Sequence, residues 1–423
     1  MNTAFTFNLS TLASTASKMN DDAFDESEKA FENKQYKQSL YALLDYINGS
    51  FRTKYGNAGG TEFSIPHGSI VLHLKLKKDE LKITSPFLSL PEKNRVPLLR
   101  QVAGLNFTNM DLAAIVLKDN QLAFEYSCPL SLVNPYKIYY VLREICSTGD
   151  KYDDEFITKF GAQRIYEPKI TPYDAKAVDT IYDVIQLSCR EGMNALAAFE
   201  SSRKYGLAWN VIDTTLMKIL YYAHPQGQLL NDLNKAVWNM DREDIPLPEI
   251  IVQGKQVLER LQSMTKKAMA ADLYYVETFV PNKYRSRLKN IQENFEQPFE
   301  NVSKAMENND FLYCYLVIVF QFYKMYFYNL VQDDINVLAV DALQRSSAKP
   351  LEEAAGILYE AMKNIMDGNL TPPAENPAAM DMTNYINALQ QNVQNMQNLN
   401  MEELAKNMQN LVSSMLGQNK EEK

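Results

Sequence analysis

Cysteine, histidine and tryptophan are scarce in this chain of 423 residues, at four, three and two. Cys128, Cys146, Cys189 and Cys314 stand singly, mostly inside apolar runs, with no CxxC pair. That pattern excludes a disulfide framework and predicts buried thiols in a reducing, cytoplasmic compartment. His67, His73 and His224 have no metal-ligand spacing, and the chain contains no HExxH string, no GxSxG elbow and no P-loop. Glu293, Glu296 and Glu300 share a helical spacing without a nearby histidine, which reads as a solvated face. No catalytic, metal or cofactor constellation is therefore expected. A basic excess is also missing: 43 Lys+Arg stand against 52 Asp+Glu, a net charge of −9. A surface of that sign is unsuited to neutralising phosphates, so no nucleic-acid partner is expected. Met1–Asp22 lacks a basic start and a continuous apolar core, and is expected to be a flexible lead-in rather than a signal peptide.

What is present is organised around Thr61–Cys128. Ile70, Leu72, Leu74 and Leu76 alternate with polar residues, the period of a half-buried antiparallel strand. An apolar run before Pro66 and the alternation of Leu81–Ser85 flank it as two more strands, and Pro86 is expected to stop the last. A helix is expected to enter at Ser89–Glu92 and to turn Val96, Leu99, Val102 and Ala103 inward. Leu112–Leu117 and Leu122–Tyr126 read as a strand pair joined at Lys118–Gln121. Upstream, the apolar positions from Phe24 to Ile47 predict a helical pair or one long helix, with a possible break at Glu32–Gln35. The Gly56–Gly60 loop reads as a connector. Downstream, helices are expected over Pro135–Cys146 and Asp153–Phe160, broken at Ser147–Asp150. Two prolines, Pro168 and Pro172, mark a domain boundary.

The order helix, three strands, helix, two strands, helix over residues 23–166 matches the type III secretion chaperone-like fold. The string Ser85-Pro86-Phe87-Leu88-Ser89-Leu90-Pro91-Glu92-Lys93-Asn94-Arg95-Val96-Pro97-Leu98-Leu99-Arg100, then Leu105-Asn106 and the strand Leu122–Tyr126, resembles the bacterial sensory-transduction-regulator (YbjN-like) family. The resemblance covers about residues 20–165. It implies a domain that binds protein segments on a helix-and-sheet surface, without an agreed enzymatic activity. The chain departs from that family by continuing for some 250 residues. Asn94 and Arg95 stand out in the string. Arg95 reads either as a partner contact, since guanidinium suits carboxylates, or as a solvated residue paired with Glu92.

From residue 170 to 367 strands vanish, and an all-helical domain of eight or nine helices is expected. Lys29–Tyr36 and Lys304–Phe311 share the grammar of an αα-hairpin turn, though two copies do not establish an array. Leu312–Leu330 is long enough to span a bilayer, but Gln321 and Lys324 sit inside it and tyrosines are scattered along it. A core helix is expected there, and no membrane span. Residues 368–380 read as a linker and 381–423 as an amphipathic, Asn/Gln/Met-rich arm. Leu389, Val393 and Met396, then Met408, Leu411 and Met415, recur at helical spacing. They read either as a weakly ordered tail or as a docking stripe for a partner or a second copy. The expected function is a non-enzymatic protein-interaction factor of a bacterial cytoplasm, a chaperone, adaptor or regulator that binds a protein partner through the α+β domain and the helical extension. The alternatives are a structural component that oligomerises through the arm and, behind it, an unrecognised enzyme.

Overall fold

The computed structural model describes residues 3–11, 20–281 and 283–370, in two compact units. The chain is mixed α+β. One unit comprises Ser17–Thr171 and Tyr275–Asn282; the other takes the N-terminal residues to Ala16, Pro172–Tyr274 and the chain from Lys283.

In the first unit, α1 (Asp21–Glu32) and α2 (Tyr36–Asn48) are a hairpin followed by the short α3 (Phe51–Tyr55). Lys34, at φ 60, makes the turn, and Gln35 N–H donates to the Ala30 carbonyl at 2.8 Å. β1 (Glu62–His67), β2 (Ile70–Lys77), β3 (Glu80–Ser89), β4 (Ala114–Lys118) and β5 (Gln121–Pro129) form an antiparallel sheet in the order β1-β2-β3-β5-β4. Ile70, Leu72, Leu74, Leu81, Ile83, Leu122 and Phe124 are fully buried on one face. α5 (Pro135–Phe160) packs on β2 and β3, with α1 and α2 against it, while α4 (Arg95–Thr108) also packs on α5.

Three local expectations are corrected. β3 runs through Pro86 to Ser89 and pairs with β5 across it. Its pairing with β2 ends at His73–Thr84, so Pro86 lies where the strand has one partner only, and a bulge follows between Pro86 and Leu88. A proline is tolerated in that setting because its missing N–H breaks no ladder bond. α4 starts at Arg95, not at Ser89–Glu92. α5 is one helix without a break at 147–150, because Gly149 is a contact point: a Cβ there would meet Ile70 Cδ1 at 2.7 Å.

The second unit holds nine helices among the described residues: α6 (Ala175–Ser201), α7 (Tyr205–Ala223), α8 (Gly227–Met240), α9 (Leu247–Ser263), α10 (Lys266–Ala270), α11 (Leu288–Glu307), α12 (Phe311–Tyr328), α13 (Asp333–Ser346) and α14 (Leu351–Asp367). It is not purely helical, since Asn329–Leu330 pairs in parallel with Tyr284–Arg285. α6–α9 and α11–α14 are two copies of one motif. α7 and α8 open at Tyr205 and Gly227; α12 and α13 open at Phe311 and Asp333, with the same spacing. Pro246 and Pro350 precede α9 and α14. Buried positions correspond: Ile185 with Ile291, Cys189 with Phe295, Ile212 with Ile318, Leu258 with Met362. The turns match too. Arg203 and Asn309 both have φ 56, and Lys204 N–H to Phe199 O and Asp310 N–H to Ala305 O both measure 2.9 Å. The resemblance between residues 29–36 and 304–311 is thus a shared turn, and residues 199–205 supply a third. α6, α7 and α9 pack together as α11, α12 and α14 do, and α7 packs on α12, so equivalent helices meet. That is the isologous pattern of a two-fold relation.

The lead-in reading of Met1–Asp22 is corrected for its described part. Residues 3–11 lie extended across the helical unit. Ala4 N–H donates to Lys349 O at 2.8 Å, Phe5 N–H to Tyr315 Oη at 2.6 Å, Thr6 Oγ1 to Glu191 Oε1 at 2.6 Å, and Phe7 N–H to Ser347 Oγ at 2.9 Å. Phe5, Phe7 and Leu9, alternating, pack against the core. A segment whose backbone donors find partners along its length is held, not free.

Among the described residues α12 is long and apolar enough to cross a bilayer. Ten of its side chains, Ile318 and Phe322 among them, are buried inside the helical unit. α14 ends on Gly368, at φ 72, and Leu370 still packs on the core. The docking-stripe residues Leu389, Val393, Met396, Met408, Leu411 and Met415 lie outside the described residues.

Candidate functional site

α4 carries two apolar faces. Leu98, Val102 and Leu105 are buried, whereas Val96 is 59% exposed, Ala103 is exposed, and Phe107 is 90% exposed. Val96, Arg100, Ala103 and Phe107 follow one another at three- and four-residue steps, so they form one outward stripe. The expectation that Val96 and Ala103 face inward is corrected. Val96 lies two residues before Leu98, about 200° round the helix, and so points away from the core.

Asn94 and Arg95 stand at the head of this stripe, both exposed. Asn94 adopts the left-handed conformation, φ 63 and ψ 21, and its side chain makes no cap hydrogen bond. Asparagine tolerates that region better than most residues, which explains its place at a tight helix entry. No ion pair joins Arg95 to Glu92 among the described residues, so Arg95 is a solvated cation beside the stripe. The six stripe residues of the C-terminal arm cannot be placed with them, since they fall outside the described chain.

β4 is an edge strand, paired with β5 only. Asn106, on the inner side of α4, covers that edge at one residue. Its Nδ2 donates to Ile115 O at 2.8 Å, and Ile115 N–H donates to its Oδ1 at 2.7 Å. The carboxamide substitutes for a neighbouring strand at the point where an edge invites unwanted pairing. Leu112 and Leu117, 43% and 49% exposed, flank the covered residue. The loop into β4 is pinned by the buried Glu144 carboxylate, which accepts from Asp111 N–H at 2.9 Å and Ala113 N–H at 2.6 Å. Burial raises the Glu144 pKa and those N–H groups oppose the rise.

A polar cluster lies at the β1–β2 turn. His67, 1% exposed, accepts from Phe279 N–H at 2.9 Å through Nδ1, so Nε2 carries the proton and lies 4.0 Å from Asp150 Oδ2. Burial lowers the His67 pKa to about 4. Burial, then Asp154, raises Asp150 and Asp153 to about 6. Arg164 bridges Asp153 at 3.0 Å and Asp154. Gly68 donates its N–H to Glu277 O, and with φ 51 and Asp150 Oδ1 where a Cβ would stand, any side chain there would be strained and would displace Asp150. No group of three metal-ligating side chains occurs among the described residues. His67 has the neutral ring a proton acceptor needs, but its Nδ1 is taken by the Phe279 N–H and its Nε2 faces Asp150, both inside the α+β unit. Its signal in the sequence is only that a histidine precedes the turn glycine; nothing marks Phe279 as its partner.

No family model matches this chain, and no curated protein matches it.

Proposed function

We propose that the chain is a non-enzymatic protein-interaction factor, a chaperone, adaptor or regulator of a bacterial cytoplasm, and that it takes its partner on the outer face of α4. The observation carrying this reading is Phe107, 90% exposed on the same stripe as Val96. An isolated exposed apolar residue is ordinary, but Val96, Ala103 and Phe107 on one helix face, with Arg100 among them, form a patch of the kind that marks protein contacts. The element order of the α+β unit and the string from Ser85 to Asn106 support a secretion-chaperone-like topology and kinship with the sensory-transduction-regulator (YbjN-like) family. The partner chemistry that fits is an apolar ridge bearing an acidic group for Arg95 or Arg100.

The test compares the full chain with Val96→Asp/Phe107→Asp. Both positions are solvated, so the thermal midpoint should hold while co-purification of a defined partner is lost at least tenfold. Equal recovery of that partner by both proteins would overturn the α4 assignment. A sedimentation coefficient that drops in the double variant, with no other protein bound, would identify the partner as a second copy.

A further inference from the structure

The extended segment of residues 3–11 lies in a cleft formed by α6, α7, α12 and α13 of the helical unit. Only Ala4 and Ser10 are buried along it, and the rest is half-buried or exposed. Most of its hydrogen bonds go to side chains and not to a strand ladder. Phe5 N–H meets Tyr315 Oη, Thr6 meets the Glu191 carboxylate through both N–H and Oγ1, and Phe7 N–H meets Ser347 Oγ. Ser10 Oγ lies 2.6 Å from His224 Nε2. Glu191 is held by groups of the cleft itself: Lys218, whose side chain is 7% exposed, pairs with it at 3.3 Å and stands 6.0 Å from the Phe5 ring. The duplication shows that these groups do not follow from helix packing alone. In the other half Gln297, Trp209 and Asp241 stand where Glu191, Tyr315 and Ser347 do. An indole has no acceptor, and Trp209 Nε1 already donates to Met240 O at 2.8 Å. The cleft is a built site for an extended backbone, particular to one half.

We propose that residues 3–11 are a detachable strap and that the cleft takes the same strap from a second copy of the chain, so that two copies join by exchanging straps. The second copy carries every group the cleft engages. Phe5 meets the Tyr315 ring at 6.0 Å and Phe7 the Tyr221 ring at 6.3 Å, while the Thr6 hydroxyl between them reaches the carboxylate. Main-chain bonds anchor both ends, from Ala4 N–H to Lys349 O and from Thr11 N–H to Tyr222 O, and re-form unchanged after exchange. Connectivity favours exchange as well. The helical unit resumes only at Pro172, and Ser17–Thr171 belong to the other unit. The strap is therefore a tethered ligand of its own cleft, and its advantage over a free one is an effective concentration, of the order of mM even for a short flexible linker. A segment with few buried residues opens locally at low cost, and copies at comparable concentration then compete for the cleft. Reciprocal exchange is two-fold symmetric and closes at two copies.

The four native cysteines are buried, so thiols placed on the surface report alone. Thr3 faces Pro350 across an isolated antiparallel bridge, both residues exposed, at a spacing that suits a disulfide. The full-length chain with both Thr3→Cys and Pro350→Cys should close on itself in dilute oxidising solution. Full-length chains with one substitution each, mixed, concentrated and then oxidised, should give a mixed disulfide whose yield rises with protein concentration. Phe5→Asp/Phe7→Asp in the Thr3→Cys chain should lower that yield at least tenfold. Val96→Asp/Phe107→Asp should leave it unchanged, because exchange uses nothing on α4. A doubly substituted chain that fails to close overturns the proposal. So does a mixed disulfide that is absent up to the solubility limit, indifferent to the strap aspartates, or lost in the α4 variant.

Discussion

His67 and Phe279, separated by 212 residues in sequence, are joined by a 2.9 Å hydrogen bond from the Phe279 backbone N–H to the His67 ring. The bond requires a neutral ring, and burial lowers the His67 pKa to about 4, against 6.5 when exposed. The unfolded chain therefore binds this proton more readily than the folded one. The stability His67 supports is complete above about pH 6.5 and falls as the pH drops towards 4. Asp150, at 4.0 Å, and Asp153, each near 6, run the other way: they hold protons in the folded state and cost stability as pH rises through that range. Comparison with His67→Gln isolates the histidine. The midpoint of the variant, relative to wild type, should rise steadily from about pH 6.5 down to about pH 4. A difference independent of pH would show that the ring is not buried neutral.

Asp213 is 1% exposed, with one carboxylate oxygen unpartnered among the described residues. Burial is the main cause pushing its pKa to about 8, with Asp241 adding to the rise and Lys324 opposing it. The folded state therefore keeps a proton that the unfolded state sheds near 3.8, and stability is lost as pH rises through 8. Asp213→Asn removes that loss while preserving shape. Calorimetry should find a small gain in midpoint near pH 4 and a much larger one near pH 8, roughly 1.4 kcal/mol for each unit of difference. A variant less stable than wild type at pH 8 would show that the ionised carboxylate has a partner it needs.

Asn106→Ala uncovers the β4 edge at Ile115. The buried Ile115 N–H loses its acceptor, so the α+β unit should lose about 1–3 kcal/mol. The freed edge should also make the protein associate with rising concentration, visible by light scattering or sedimentation. A variant that stays as monodisperse as wild type over the same concentrations would show that Asn106 is a packing residue and not an edge guard.

Much of the α+β unit was legible because its signals are local. The alternation from Ile70 to Leu76 marks β2, and Asp119 and Asn120, at φ 45 and 69, supply the turn between β4 and β5. What was not legible depends on partners distant in sequence. Pro86 reads as a strand end unless one knows that the pairing of β3 with β2 has already ended at Thr84. Gly149 reads as a helix break unless Ile70 is known to press on it. The duplication hides because matched positions conserve burial rather than identity, as Cys189 and Phe295 show. The site readings divide in the same way. The string around Asn94 and Arg95 led to α4, but the exposed stripe was placed on its wrong side. The strap carried no signal, since the alternation of Phe5, Phe7 and Leu9 is too short to mark a docked segment until Glu191 and Tyr315 are seen to bind it.

The assignment of Tyr275–Asn282 to the α+β unit also bears on how the chain is made. Synthesis delivers the whole sheet and α5 by Thr171, yet Phe279 and Val280, both buried in that core, emerge about a hundred residues later. At about 5–20 residues per second, the unit waits roughly 5–20 s on the ribosome with His67 unpaired and a core site open. Through that interval the nascent sheet is a client for whatever binds exposed apolar surface. It becomes self-sufficient only after the first half of the helical duplication has been synthesised.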